Sequence, residues 1–493
     1  MKRILENLEP KDVFHYFEEI CNIPHISYHT QELGDYCVAF ANEHNLKSVK
    51  DEAGNVVIYK PASKGYEAHP AVIIQGHLDM VGAKADDSEH DFLSEPLKID
   101  EEALADGFVT AVGTTLGGDD GIAVAYALAI LADDSLKHPA LEVVLTVDEE
   151  VGLIGANALD ASLLSGKYLL NLDSEDEGSF LIGCAGGLRS DLKLPVNLTQ
   201  YEGTELEIVI YNLTGGHSGA EIGTGRPSAN VLMGRLLKSL DDCSDFYIIS
   251  LDGGIVDNAI APKCKARIVC APEDVQDIVT RCGMVCDDLH AEYAGIDDNI
   301  TISTTLPSDS KKVGLYDVAD DIGREKILCL LRNLPYGVIS RSPDDINLVE
   351  TSLNLGILRF DAGDKTGLFR AGYSIRSSFE SAKRDLADRV GYLTEFLGGE
   401  YEESGDYPAW PRRTDSKLCE TAGIVYESMY GRKAVFETIH AGLECGIFAD
   451  KMPELDMISY GPCMKDIHTF DERLDIASVG RVYEFTKKLL EAL

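Results

Sequence analysis

The stretch AVIIQGHLDMVG, residues 71–82, decides how the rest of the chain is read. An apolar run enters Gly76 and ends on His77 and Asp79, two positions apart. Runs this apolar suit strands covered on both faces, as in parallel sheets. Residues i and i+2 of a strand share a face, so His77 and Asp79 are expected to project together from a strand's C-terminal end. Open α/β sheets place their sites at those ends.

Two similar runs follow, LEVVLTV (141–147) and KYLLNLD (167–173). Between the first two lies DDGIAVAYALAILADD (119–134), an Ala/Ile/Leu-rich helix with an acidic start. This strand–helix alternation predicts an α/β domain. Beyond GCAGGL (183–188) the character changes to alternating segments, ELEIVIYNL (205–213) and KARIVC (265–270), with a helix over NVLMGRLLKSLDD (230–242). Alternation predicts an antiparallel sheet with helices on one face. Residues 258–279 and 367–390 both read as strand, turn and helix, so the insert reads as a doubled α+β unit. The α/β pattern returns with a helix ending in Gly431, a strand at DMISYGP (456–462) and a closing amphipathic helix over 476–493. The expected division is therefore 1–186 with 399–493 as one domain and 187–398 as an inserted lid. The fold class is α/β, a mixed, mainly parallel sheet with helices on both faces, plus an α+β lid.

The 493 residues carry a formal charge of −40, which speaks against nucleic acid, since phosphate binding needs clustered Lys and Arg. Anionic membranes are disfavoured for the same reason. No apolar run has membrane-spanning length. The N-terminal segment, residues 1–20, reads as an amphipathic helix rather than a signal peptide, so a cytoplasmic protein is expected. The 12 cysteines form no CxxC pair and read as reduced thiols. No GxSxG elbow occurs, which argues against a serine hydrolase.

The acids that matter fall at strand-to-loop junctions. Asp148, Glu149 and Glu150 follow the second strand, Asp173 closes the third, and Asp119 and Asp120 start the helix after a glycine turn. Singly, each has an ordinary reading: a solvated corner, a loop acid, or a helix N-cap. Together with His77 they form a donor set for zinc. So many carboxylates suit two ions bridged by one acid, about 3.5–4 Å apart. His468, in the polar loop CMKDIHTFDERL (463–474), is the expected second imidazole.

GHLDMV, GDDG, TVDEEVGLIGA, NLDSE and HTFDE resemble the metal-binding signatures of the di-zinc aminopeptidase, carboxypeptidase and aminoacylase superfamily. GGHSG (215–219), DNAIAP (257–262), HAGLECG (440–446) and the large insert are similar to its aminoacyl-histidine dipeptidase (cytosolic non-specific dipeptidase) branch. The resemblance implies hydrolysis of unblocked dipeptides, Xaa-His among them. It implies two Zn2+ per chain, with Co2+ or Mn2+ as substitutes. His77 and Asp173 would hold one ion, Glu150 and His468 the other, and Asp119 both, with a cis peptide to Asp120. Glu149 would be the general base and Asp79 would orient His77. His217, Asn258, Arg376, His440 and Glu444 would bind substrate, and a lid histidine reaching a partner's site would imply a homodimer. The same metal set would serve an N-acyl-amino-acid deacylase or a tripeptidase. Two departures stand out: many superfamily members read Asp-Asp-Lys-Gly at the bridge, whereas this chain reads Asp119-Asp120-Gly121-Ile122, and Thr469-Phe470 stand where small residues or proline are common.

Overall fold

A computed structural model describes residues 3–306, 313–343 and 345–493. The chain divides into two compact units: residues 1–184, 410–438 and 443–493, and residues 185–409 with 439–442.

The first unit is built on an eight-stranded sheet. Its strand order is Lys47–Lys50, Val56–Lys60, Leu141–Thr146, Val72–His77, Tyr168–Asn171, Asp456–Ser459, Ser179–Cys184 and Val435–Ile439. The four central strands, from Leu141–Thr146 to Asp456–Ser459, run parallel. The flanking pairs to Val56–Lys60 and Ser179–Cys184 are antiparallel. All six residues of Val72–His77 and of Leu141–Thr146 are buried, as their apolar runs require. The helix Gly118–Ala132 is buried along nearly its whole length, which explains its all-round apolar sequence. Ile122 belongs to that core and is fully buried, so this position faces packing rather than solvent. The N-terminal helix is shorter than expected, Lys11–Cys21, starting directly after Pro10, and residues 1–2 lie outside the described set.

Gly76 is where sheet and helix meet. A Cβ there would lie 2.6 Å from both Ala123 Cβ and Asp120 Oδ2. Its hydrogen lets the helix start press against the strand end, and His77 N–H donates to Asp120 Oδ2 at 3.1 Å. The glycine thus places the carboxylates of the helix start beside His77.

The second unit is built on a ten-stranded sheet, antiparallel throughout its described pairs. The order along its main path is Thr301–Thr305, Leu198–Tyr211, Cys264–Cys270, Phe246–Gly253, Val349–Asp361, Leu368–Ser377, Gly186–Pro195 and Glu400–Tyr407. The first four and last four mirror each other about the central pair, and the helices Val275–Glu292 and Glu380–Phe396 follow corresponding strands. The doubled character of the insert is visible in this order. The return expected at residue 399 is corrected to 410, because Glu400–Tyr407 pairs with Gly186–Pro195 as the sheet's last strand.

Gly76→Ala is expected to destabilise the protein by about 1–3 kcal/mol through overpacking, measured by urea unfolding. Wild-type stability of the alanine variant would contradict the close approach described here.

Candidate metal centre

Three strand ends and two loops converge in the first unit. His77 Nε2 lies 3.2 Å from Asp119 Oδ1 and 3.7 Å from Asp173 Oδ1. His468 Nε2 lies 3.1 Å from Asp119 Oδ2 and 2.9 Å from Glu150 Oε1. The two oxygens of Asp119 therefore face different imidazoles. Three overlapping groups with metal-ligand chemistry result: His77–Asp120–Asp173, His77–Glu149–Glu150, and Asp119–Glu150–His468, with ligand atoms within 4.8 Å of one another in each. The peptide between Asp119 and Asp120 is cis, in agreement with the sequence expectation.

Asp79 differs in detail from its expected role. The strand ends at His77, so Asp79 lies in the turn beyond it. The hydrogen-bond acceptor beside His77 Nδ1 is the backbone carbonyl of Asp79 at 2.9 Å, while the carboxylate stands 3.6 Å away. That carboxylate accepts from the backbone N–H of Glu149 (2.9 Å) and Glu150 (3.3 Å) and from Ser27 Oγ (2.8 Å). Asp79 thus fixes the imidazole through its main chain and the loop bearing two acids through its side chain.

The electrostatics follow from crowding. Burial, with Asp173, Glu444 and Glu150 nearby, pushes the Glu149 carboxyl well above its usual range. Burial and Asp173 do the same to Asp120, whose Oδ1 is buried with no hydrogen-bond partner. Hydrogen bonds to Asp119 and Glu150 push His468 up to about 10. Burial opposes charge on His77, but its bonds to Asp119, Asp173 and Asp79 outweigh it and hold the imidazole well above its ordinary value. Five carboxylates share two imidazoles. Fully ionised, this set carries excess negative charge, and buried charge is costly unless compensated. The residues fit divalent cations: oxygen and imidazole donors, one orphaned oxygen, and one carboxylate facing both imidazoles.

Beneath this cluster Glu444, fully buried, starts the helix Glu444–Lys451 and accepts from Gln75 Nε2 (2.5 Å) and Thr146 Oγ1 (2.6 Å). Burial raises its carboxyl to about 8. Gln75 Oε1 accepts in turn from Asn171 Nδ2 at 2.6 Å. Gln75, Thr146 and Asn171 were not singled out by the sequence; their signal is that they are polar residues within otherwise apolar strands.

A profile of peptidase family M20/M25/M40 matches residues 73–492. The chain belongs to this family. The cytosol non-specific dipeptidase of Escherichia coli (strain K12) is 35% identical over 493 residues, covering 99% of each chain. The aminoacylhistidine dipeptidase of Vibrio alginolyticus superposes with a TM-score of 0.88 at 34% identity, covering 99% of this chain and 98% of that one. Aminopeptidase PepT from Bacillus cereus, at 13% identity and a TM-score of 0.55 over 98% of this chain and 99% of that one, shares the fold. M20 membership implies a divalent metal, and the centre described above has the donors for it. Among the described residues, no helix is long and apolar enough to cross a membrane.

The remaining expected residues of this M20 chain form a second cluster, in the second unit. His217 sits on the short strand Gly216–His217, paired with Ala259–Ile260, and Ser218 N–H donates to the carbonyl of Asn258 at 2.8 Å. Arg376 donates to the Tyr407 hydroxyl at 2.6 Å and stands 3.4 Å from His217 Nε2. His440 Nε2 is 2.8 Å from Ser352 Oγ. The HAGLECG segment is divided: His440 belongs to this unit and Glu444 to the first. Arg376 is buried with its Nε unpartnered, a guanidinium suited to a carboxylate.

Burial first, and then the Arg376 charge, lower the His440 pKa to about 3. An unfolded imidazole protonates near pH 6.5. The stabilising contribution is therefore complete above that pH and is lost as pH falls towards 3, at about 1.4 kcal/mol per pH unit. His440→Asn should reduce the slope of unfolding free energy against pH by that increment between about pH 6 and 4. A urea-unfolding series that returns equal slopes for the two proteins would refute this.

Proposed function

We propose that this M20 chain is a zinc-dependent dipeptidase that hydrolyses unblocked dipeptides, Xaa-His and broader, in the cytoplasm. The observation carrying this reading is the double-facing carboxylate of Asp119, with one imidazole at 3.2 Å and another at 3.1 Å. The dipeptidase names of the Escherichia coli and Vibrio alginolyticus relatives support the substrate class.

In this reading His77 and Asp173 would hold one Zn2+, Glu150 and His468 would hold the other, and Asp119 would serve both. Bound zinc would lower the pKa of water towards 7 and polarise the scissile carbonyl. Glu149 takes the water's proton and returns it to the leaving amine. Burial and the neighbouring carboxylates raise its carboxyl above the usual range, which favours its holding the proton between the two transfers. Asp79 keeps the Glu149 backbone in place for it. Arg376 and His217, with His440 and Asn258 nearby in the same unit, supply the cationic and polar groups for the substrate's C-terminal carboxylate and its carbonyl. Glu444, with Oε1 buried and unpartnered, is the acceptor for the free amino group. That last assignment favours a dipeptidase over an N-acyl-amino-acid deacylase, whose substrates lack that charge. We further propose a homodimer formed through the inserted unit.

Two measurements test this. Free dipeptides should be cleaved by the zinc-loaded protein and their N-acetylated counterparts should not; the reverse preference would select the deacylase reading. Glu149→Gln should lower kcat by about 10²–10⁴-fold with zinc content unchanged, and undiminished turnover would rule out Glu149 as the base.

A further inference from the structure

Among the described residues, the buried carboxylate of Glu472, near the metal centre, is compensated by backbone donors rather than by an ion pair. Glu472 is 3% exposed and lies in the same segment as His468. Its oxygens accept four successive backbone N–H groups: Leu116 at 2.7 Å and Gly117 at 3.1 Å on Oε2, Gly118 at 2.8 Å and Asp119 at 3.3 Å on Oε1. These amides belong to the turn that leads into the helix Gly118–Ala132, whose backbone is still non-helical at Asp119 and Asp120. A buried carboxylate that accepts several backbone N–H groups has its charge compensated by those donors. The glycines make room: a Cβ on Gly118 would lie 3.1 Å from Glu472 Oε1, and Gly117 has φ 70.

This contact ties together two segments about 350 residues apart, each carrying one ligand of the same subsite. Asp119 is in the clamped loop, and His468 is four positions before the clamp. The Glu472 segment is held in turn by the pairings Met464↔Leu474 and Leu474↔Val109.

We propose that Glu472 is a positioning residue: its four-amide clamp holds Asp119 and His468 in register and so sets the affinity of the ion that they and Glu150 share. The inference rests on the metal-site reading above. Glutamine is nearly isosteric but turns an NH2 group towards backbone donors, so two of the four bonds are lost.

The test is calorimetric titration of metal-free protein with Zn2+ alone, with thermal unfolding of the metal-free form in parallel. Glu142 provides the control. It is a buried carboxylate that likewise accepts from backbone N–H groups, those of Ser165 and Gly166, and it is not in the metal cluster. In Glu472→Gln the zinc equivalent held by His468, Glu150 and Asp119 should weaken by about 10- to 100-fold, and the other, which shares only Asp119 with it, by less. In Glu142→Gln both equivalents should keep wild-type affinity even though the melting temperature falls. Glu472→Asp, which keeps the charge with a shorter reach, should fall between and carries the test if the glutamine variant does not fold. Wild-type binding of both equivalents by Glu472→Gln, or by the aspartate variant in its place, would overturn the proposal and leave the metal site standing. A wild-type protein that binds no zinc pair would instead overturn the metal site itself.

Discussion

The fold of the first unit is organised around one electrostatic problem. Five carboxylates, from Asp119, Asp120, Glu149, Glu150 and Asp173, crowd two imidazoles at the ends of buried strands. A folded chain does not gather this much like charge without compensation, because burying it costs several kcal/mol per ion. The surrounding architecture holds these donors in place. Gly76 lets the helix start reach the strand end, Asp79 ties down the Glu149–Glu150 loop, and Glu472 seats the Asp119 loop. The Asp79 and Glu472 devices are carboxylate-to-backbone contacts, and Gly76 is a close approach of strand and helix start.

Much of this was legible in the sequence, for identifiable reasons. The strands Val72–His77 and Leu141–Thr146 are buried on both faces and so show unbroken apolar runs. Their ends then stand out as the places where His and acids begin. What was not legible depends on long-range contact. Glu472 was read only as part of a motif, since its four amide partners lie about 350 residues away. Glu400–Tyr407 escaped notice because an edge strand with mostly exposed residues leaves no apolar signature, which moved the domain return from 399 to 410. The role of Asp79 was half legible: i,i+2 spacing placed it beside His77, but only the turn geometry shows that its backbone, not its carboxylate, accepts the imidazole hydrogen.

The second unit follows different rules. Its sheet is antiparallel, and its two mirrored halves reflect a repeat already visible in the strand–turn–helix echo. Its polar interest is concentrated in one cationic cluster, Arg376 with His217 and His440, where burial and the guanidinium keep His440 neutral. A neutral imidazole can accept or donate a hydrogen bond, and a buried guanidinium with an unpartnered Nε offers a fixed positive charge.

The central claim is that Asp119 is shared between two cations. Anomalous diffraction at the zinc edge from zinc-loaded crystals tests it most directly. The account predicts two peaks, one beside His77 and Asp173 and one beside Glu150 and His468, each within coordination distance of a different Asp119 oxygen. A single peak, or two peaks of which one makes no contact with Asp119, would contradict it.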